Sequence, residues 1–239
     1  MGTPSSFQAI HRLTFMDTLE RAGYVPRKPL EISMNNILLV PIQILAVLFS
    51  IVLHEVSHGL MALHLGDRTA KDLGRLTLNP IKHLDLFGSI ILPLFTFFAG
   101  GFIFGYAKPV PYNPYNLRDK KYGPAKVAMA GPLTNITLAI LIGLVIRFLD
   151  FSGWAVSVQF VELLQFIVLM NLVLTVFNLV PIPPLDGHWL VLTFVPDRYY
   201  QFKQAYARSG WFVFVLFILF GFALILPLVF WLFRLIVGS

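Results

Sequence analysis

Apolar runs long enough to cross a bilayer recur at residues 37–65, 125–149, 156–180 and 211–237, and no other feature limits the architecture of this chain so strongly. A helix rises about 1.5 Å per residue, so a hydrocarbon core about 30 Å thick takes about 20 residues. Within that layer each backbone N–H and C=O must be satisfied inside the segment, which makes runs of this length helices. Composition agrees. Of 239 residues 57% are hydrophobic and only 13% charged, and mean hydropathy is +0.76. The fold class expected is an all-α polytopic membrane protein with about four full transmembrane helices. A formal net charge of +6 does not point to nucleic acid, because the basic residues sit in short segments between the runs, where they set topology. The chain has no cysteine, so a metal site would have to be built from His, Asp and Glu.

Residues 1–36 are mixed and polar, without the basic start and apolar core of a signal peptide. They read either as a loose tail or as a short interfacial helix with Phe7, Ile10, Phe15 and Leu19 along one side. Residues 37–239 show no repeat, low-complexity tract or long linker and read as one membrane-embedded domain. A further apolar run, 86–107, is broken by Pro93 and the Gly100-Gly101 pair and leads into "KPVPYNP", which cannot be helical. Composition alone leaves its path open.

The run at 37–65 contains "HEVSH". His54 and His58 are four residues apart, so on a helix they share a face and can reach one metal ion. Glu55 points aside, where it can act as a base and not as a ligand. Three ionisable groups inside a span are costly, and such groups are usually functional. At about 1.5 Å per residue His54 lies roughly 26 Å along a helix begun at residue 37, below the surface but near one face. A catalytic zinc takes three protein ligands. The third is open among Asp186, His188, His83, Asp85, Glu162, Asp150 and His64. Of these, His64 falls in the headgroup region, and Asp150 and Glu162 flank a loop on the opposite face. Asp186 sits in a tight turn behind a run of prolines.

Together, "HEVSH", "GPLTN" and "NLVPIPPLDGH" resemble the site-2 protease family of intramembrane zinc metalloproteases, in particular the compact prokaryotic members without PDZ or CBS domains. The resemblance runs from about residue 50 to residue 190. It implies that His54, His58 and Asp186 bind one zinc ion, that Glu55 is the general base, and that Asn135 and Asn178 hold the substrate backbone. "GRLTLNPIKHLD" and "FGYAKPVPYNP" are also similar to segments of the compact members. Tyr106 stands where Trp is frequent in the family, and His188 where Gly is common.

For three such ligands to meet near one face, the run at 86–107 must dip into the membrane and return, so a re-entrant element is expected. The loops at 66–85, 108–126 and 188–210 are then cytoplasmic and the N-terminal tail is outside. The following "FIFGYAKPVPY", with Gly105 and Tyr106, is expected to form a short β-strand or hairpin near the active site that receives an unwound substrate by strand addition; the alternative is a purely structural amphipathic hairpin. The activity implied is hydrolysis of a peptide bond in or near the transmembrane segment of a single-span membrane protein. Substrates of the family include membrane-bound transcription regulators and anti-sigma factors. The implied location is the prokaryotic plasma membrane, with the site near the cytoplasmic face and the lipid bilayer as the other partner. The competing reading is a membrane metal-ion transporter or channel using the same histidines.

Overall fold

A computed structural model describes residues 34–91, 94–96, 98 and 105–238, with backbone alone at 34–38 and 90. The expectations for residues 1–33 and for the Gly100-Gly101 break lie outside the described residues. Four helical stretches are long and apolar enough to cross a membrane: Leu39–His64, Gly123–Ser152, Val158–Asn178 and Asp197–Val237. They belong to α1 (Met34–His64), α2 (Gly123–Ser152) and α3 (Val158–Asn178), followed by the short α4 (Gly187–Phe194), then α5 (Tyr200–Leu216) and α6 (Phe222–Val237). Between α5 and α6 the helix widens into a π-turn at Phe217–Gly221, so the last stretch is one long helical path.

Two sequence expectations change. Residues 188–210 are not a loop: α4 and α5 occupy most of them. Arg198, Lys203 and Arg208 lower the hydropathy there, but charged residues on an exposed helix face leave its backbone ladder intact. No β-strand occurs among the described residues. Residues 105–113 run without regular structure, and Pro109 and Pro111 remove two of the N–H donors that a strand pair would need.

The chain divides into two compact units. In the unit holding 84–108, Asp85 Oδ2 accepts from the Gly88 N–H (2.7 Å), opening the short turn Phe87–Ile91. The Tyr106 N–H donates to the Gly88 carbonyl (3.0 Å), and its own carbonyl accepts from Ser89 Oγ (2.9 Å).

The other unit holds 42–83 and 109–238. α2, α3 and α6 pack through Ala139, Ile146, Val168, Leu172, Val176, Val229, Phe233 and Val237. Apolar burial between helices gains little in lipid, so close packing and interhelical hydrogen bonds hold such bundles. Ser57 and Thr134 meet through their hydroxyls at 2.7 Å, joining α1 to α2. Asn171 Nδ2 donates to Ser50 Oγ at 3.0 Å, joining α3 to α1. Arg147 donates to the last carbonyls of α6, at Leu235 and Ile236, where a cation complements the helix dipole. α3 starts on Ser157, whose side chain accepts from the Phe160 N–H, and α2 ends on Gly153 in the left-handed conformation at φ 65°.

Candidate metal centre

Two segments of this unit bring His54, His58 and Asp186 together: α1 and the turn before α4. The histidines sit on one face of α1 and are almost wholly buried, at 5% and 8% exposure. Asp186 ends the proline-rich turn between α3 and α4, a turn closed by the Leu185 N–H on the Ile182 carbonyl (2.8 Å) and the Trp189 N–H on the Asp186 carbonyl (3.0 Å). Gly187 is required there, because a Cβ would overlap the Leu179 and Val180 carbonyls.

His54 Nε2 lies 3.1 Å from Asp186 Oδ2 and 3.0 Å from His58 Nε2, which is itself 3.3 Å from Asp186 Oδ2. A tetrahedral zinc with bonds of about 2.0–2.1 Å sets its ligand atoms about 3.3 Å apart, so the triangle has the right size. Its chemistry fits too. His58 Nδ1 is 2.7 Å from the Val127 carbonyl oxygen, which can only accept, so the ring proton belongs on Nδ1 and Nε2 presents a lone pair. That lone pair faces a second imidazole nitrogen and a carboxylate oxygen, a convergence that a divalent cation satisfies. Among the described residues these three are the His, Asp and Glu group able to hold a metal ion together. His54 Nδ1 is buried with no hydrogen-bond partner among them.

Glu55, the expected base, accepts from the Val110 N–H at 2.9 Å. Asn135 is fully buried, and neither amide atom has a partner among the described residues. Asn178, the last residue of α3, spends its Nδ2 on the Leu174 carbonyl (2.9 Å). Gly105 and Tyr106 belong to the other compact unit. Among the other ligand candidates, His83 is fully buried with Nε2 on the Thr77 carbonyl (2.8 Å). His188 turns Nδ1 to the Leu185 carbonyl (2.6 Å), and burial lowers its pKa.

Three features escaped the sequence reading. Gly131 lets α2 approach α1: a Cβ there would stand 2.5 Å from His58 Nε2 and 2.6 Å from His54 Nε2. It opens "GPLTN", so the motif carried the signal. Tyr112 sets its ring edge to face with Trp189 at 6.2 Å and buries its hydroxyl without a partner among the described residues. Burial and the Asp186 charge push that phenol up to about 12, so it stays protonated. The Val127 carbonyl has no sequence signal, since any residue could supply it.

The profile of peptidase family M50 matches residues 42–158 and 146–222. The chain belongs to peptidase family M50. This is the site-2 protease family that the motifs resemble. The M50 chain is 38% identical over 179 residues to "Putative zinc metalloprotease YwhC" of Bacillus subtilis, covering 73% of this chain and 78% of that one. It is 37% identical over 143 residues to the similarly named Rip2 of Mycolicibacterium smegmatis, covering 59% of this chain and 52% of Rip2. It is 25% identical over 173 residues to "Zinc metalloprotease MJ0392" of Methanocaldococcus jannaschii, covering 72% of this chain and 39% of the relative. No solved structure matches it. Membership makes this M50 chain a zinc metalloprotease, and its four apolar helices make it an integral membrane protein.

Proposed function

We propose that the protein hydrolyses a peptide bond in or near the transmembrane segment of a single-span membrane protein. The observation that carries this reading is the convergence, within 3.0–3.3 Å, of a carboxylate oxygen from the turn before α4 with two imidazole nitrogens that flank Glu55 on a helix apolar enough to span the bilayer. His54, His58 and Asp186 hold the zinc ion, whose chemistry when bound is to polarise the scissile carbonyl and to bring the pKa of water toward about 7. Glu55 takes the proton of the attacking water on its carboxylate and passes it to the leaving amine nitrogen. Asn135, Asn178, Gly105 and Tyr106 receive the unwound substrate backbone, whose freed N–H and C=O groups have no water to bind in lipid. The fully buried amide of Asn135, unpartnered among the described residues, supports its part in this.

Residues 37–239 form the catalytic membrane domain, in a prokaryotic plasma membrane with the site near the cytoplasmic face. The run at 86–107 dips into the membrane and returns. Support comes from its flanks: α1 near its C-terminal end and α2 near its start meet through His58 and Val127, as a run without a net crossing requires. Membrane-bound transcription regulators and anti-sigma factors are the proposed substrates.

A panel of single-span model substrates in liposomes tests the reading, with wild type and Glu55→Gln compared and bound zinc counted in both. Cleavage by wild type, lost by at least about 100-fold in the variant with zinc retained, is the expected result. Unchanged cleavage in Glu55→Gln would remove the mechanism. Zinc bound without wild-type cleavage would favour the transport reading.

A further inference from the structure

We infer that Asp67 is a positioning residue for the catalytic base: it pins the segment "PVPYNPYN" (109–116) along the end of α1, so that the Val110 N–H holds the carboxylate of Glu55. The inference rests on Glu55 being the base and extends the site to a residue outside all three motifs.

Asp67 lies three residues beyond α1 and is 1% exposed. A carboxylate so placed is costly unless each oxygen is engaged. Oδ1 accepts from Thr69 Oγ1 (2.6 Å), the Thr69 N–H (3.2 Å) and Asn116 Nδ2 (2.9 Å). Oδ2 accepts from the Asn113 N–H at 2.8 Å. Two of these four donors come from a segment more than forty residues away. The Arg118 N–H adds a bond to the Leu65 carbonyl at 2.8 Å.

Three residues before Asn113 the same segment reaches Glu55. Pro109 and Pro111 have no N–H, so within "PVP" only Val110 can donate, and its N–H meets Glu55 Oε2 at 2.9 Å. The Val110 side chain is seated as well. It is 5% exposed and rests on Gly59, where a Cβ would come within 2.7 Å of Val110 Cγ1. The segment is thus registered against α1 at Glu55 and Gly59, and against the turn that follows α1 at Leu65 and Asp67. A shift of one residue at the Asp67 end would bring a proline to Glu55, with no proton to give.

This geometry makes Asp67→Asn a sharp perturbation. All four partners donate, so an amide must turn its own NH2 toward at least one of them, and a donor against a donor releases the segment. The full-length protein in detergent is compared as wild type, Asp67→Asn and Asn116→Ala. The readouts are zinc content, amide hydrogen exchange resolved at residues 110 and 113, and kcat and KM on the model substrate that wild type cleaves fastest.

In folded, zinc-loaded Asp67→Asn, exchange at both amides should rise and kcat should fall, each at least about tenfold, with KM within about twofold. Asn116→Ala, which leaves the Asn113 bond in place, should shift both in the same direction by less. It carries the test if Asp67→Asn does not fold. Unchanged exchange at Val110 in the folded variants would overturn the inference. So would a fall in kcat accounted for by lost zinc, or a change confined to KM. The exchange readout needs no cleavage, so it stays decisive even if the protease reading fails.

Discussion

The Nδ1 of His58 is 2.7 Å from the carbonyl oxygen of Val127, so the start of α2 sets the tautomer of a candidate metal-binding histidine carried by α1. The same close approach places Gly131, one helical turn on, against both imidazoles. Gly131→Ala would drive a methyl carbon to 2.5–2.6 Å from the two Nε2 atoms. The nearest atoms to that methyl all belong to the two imidazoles, so the clash falls on them. Zinc affinity should fall by at least about 100-fold, beyond the usual effect of a change behind the ligands, while helix content stays at the wild-type level. Metal analysis and circular dichroism of the same sample check both halves.

Asn135 separates a binding role from a packing role. Its amide is fully buried and unpartnered among the described residues, and an unsatisfied buried amide costs about 1–3 kcal/mol. Removing it as Asn135→Ala should therefore change stability by less than about 1 kcal/mol, since the relief offsets the small cavity. Cleavage of model substrates should nevertheless fall about tenfold or more. A stability loss matching the activity loss would make Asn135 a packing residue.

Most of this was legible in the sequence because lipid and zinc both impose strict rules. The run expected at 37–65 became α1 (Met34–His64), and those at 125–149 and 156–180 became α2 and α3 within about three residues at each end. Continuous hydropathy suffices where every backbone group has to be bonded internally. The stretch at 188–210 was misread because hydropathy reports burial in lipid and not helicity. α5 carries Lys203 and Arg208 in a helix that leads into the last span. The grouping of His54, His58 and Asp186 is one that HExxH spacing and a family motif anticipate, since metal geometry fixes residue types. Asp67 and Val110 were hidden for the opposite reason: one is a lone acid after a helix, and the other acts through a backbone N–H that any residue but proline carries.

Ser50 and Asn171 join α1 to α3 through a 3.0 Å hydrogen bond between buried groups. In lipid the separated partners find other acceptors, so the bond is worth less than its burial suggests. A double-mutant cycle of Ser50→Ala and Asn171→Ala, read by unfolding in mixed micelles, should give a coupling of about 0.6 kcal/mol and no more than about 1.7. A value near zero would mean that the Asn171 bond to the Ile167 carbonyl (2.8 Å) does the orienting alone.

The Asp67 carboxylate predicts how stability responds to acid. Burial pushes its pKa up, but the donors from Thr69, Asn116 and Asn113 more than offset this and hold it below the ordinary carboxylate value. A group whose folded pKa is depressed stabilises the fold fully above its unfolded pKa, about 3.9, and loses that contribution as pH falls through the folded value. The apparent Tm of wild type in detergent should therefore exceed that of Asp67→Asn by a constant margin above about pH 5. Below about pH 4 the margin should narrow, because a protonated Asp67 resembles the amide in having a donor to place among donors. Thermal unfolding of both proteins between pH 3 and 7 measures that margin directly. A margin that widens on acidification would mean that Asp67 is stabilised in its protonated form, contrary to four donors facing it.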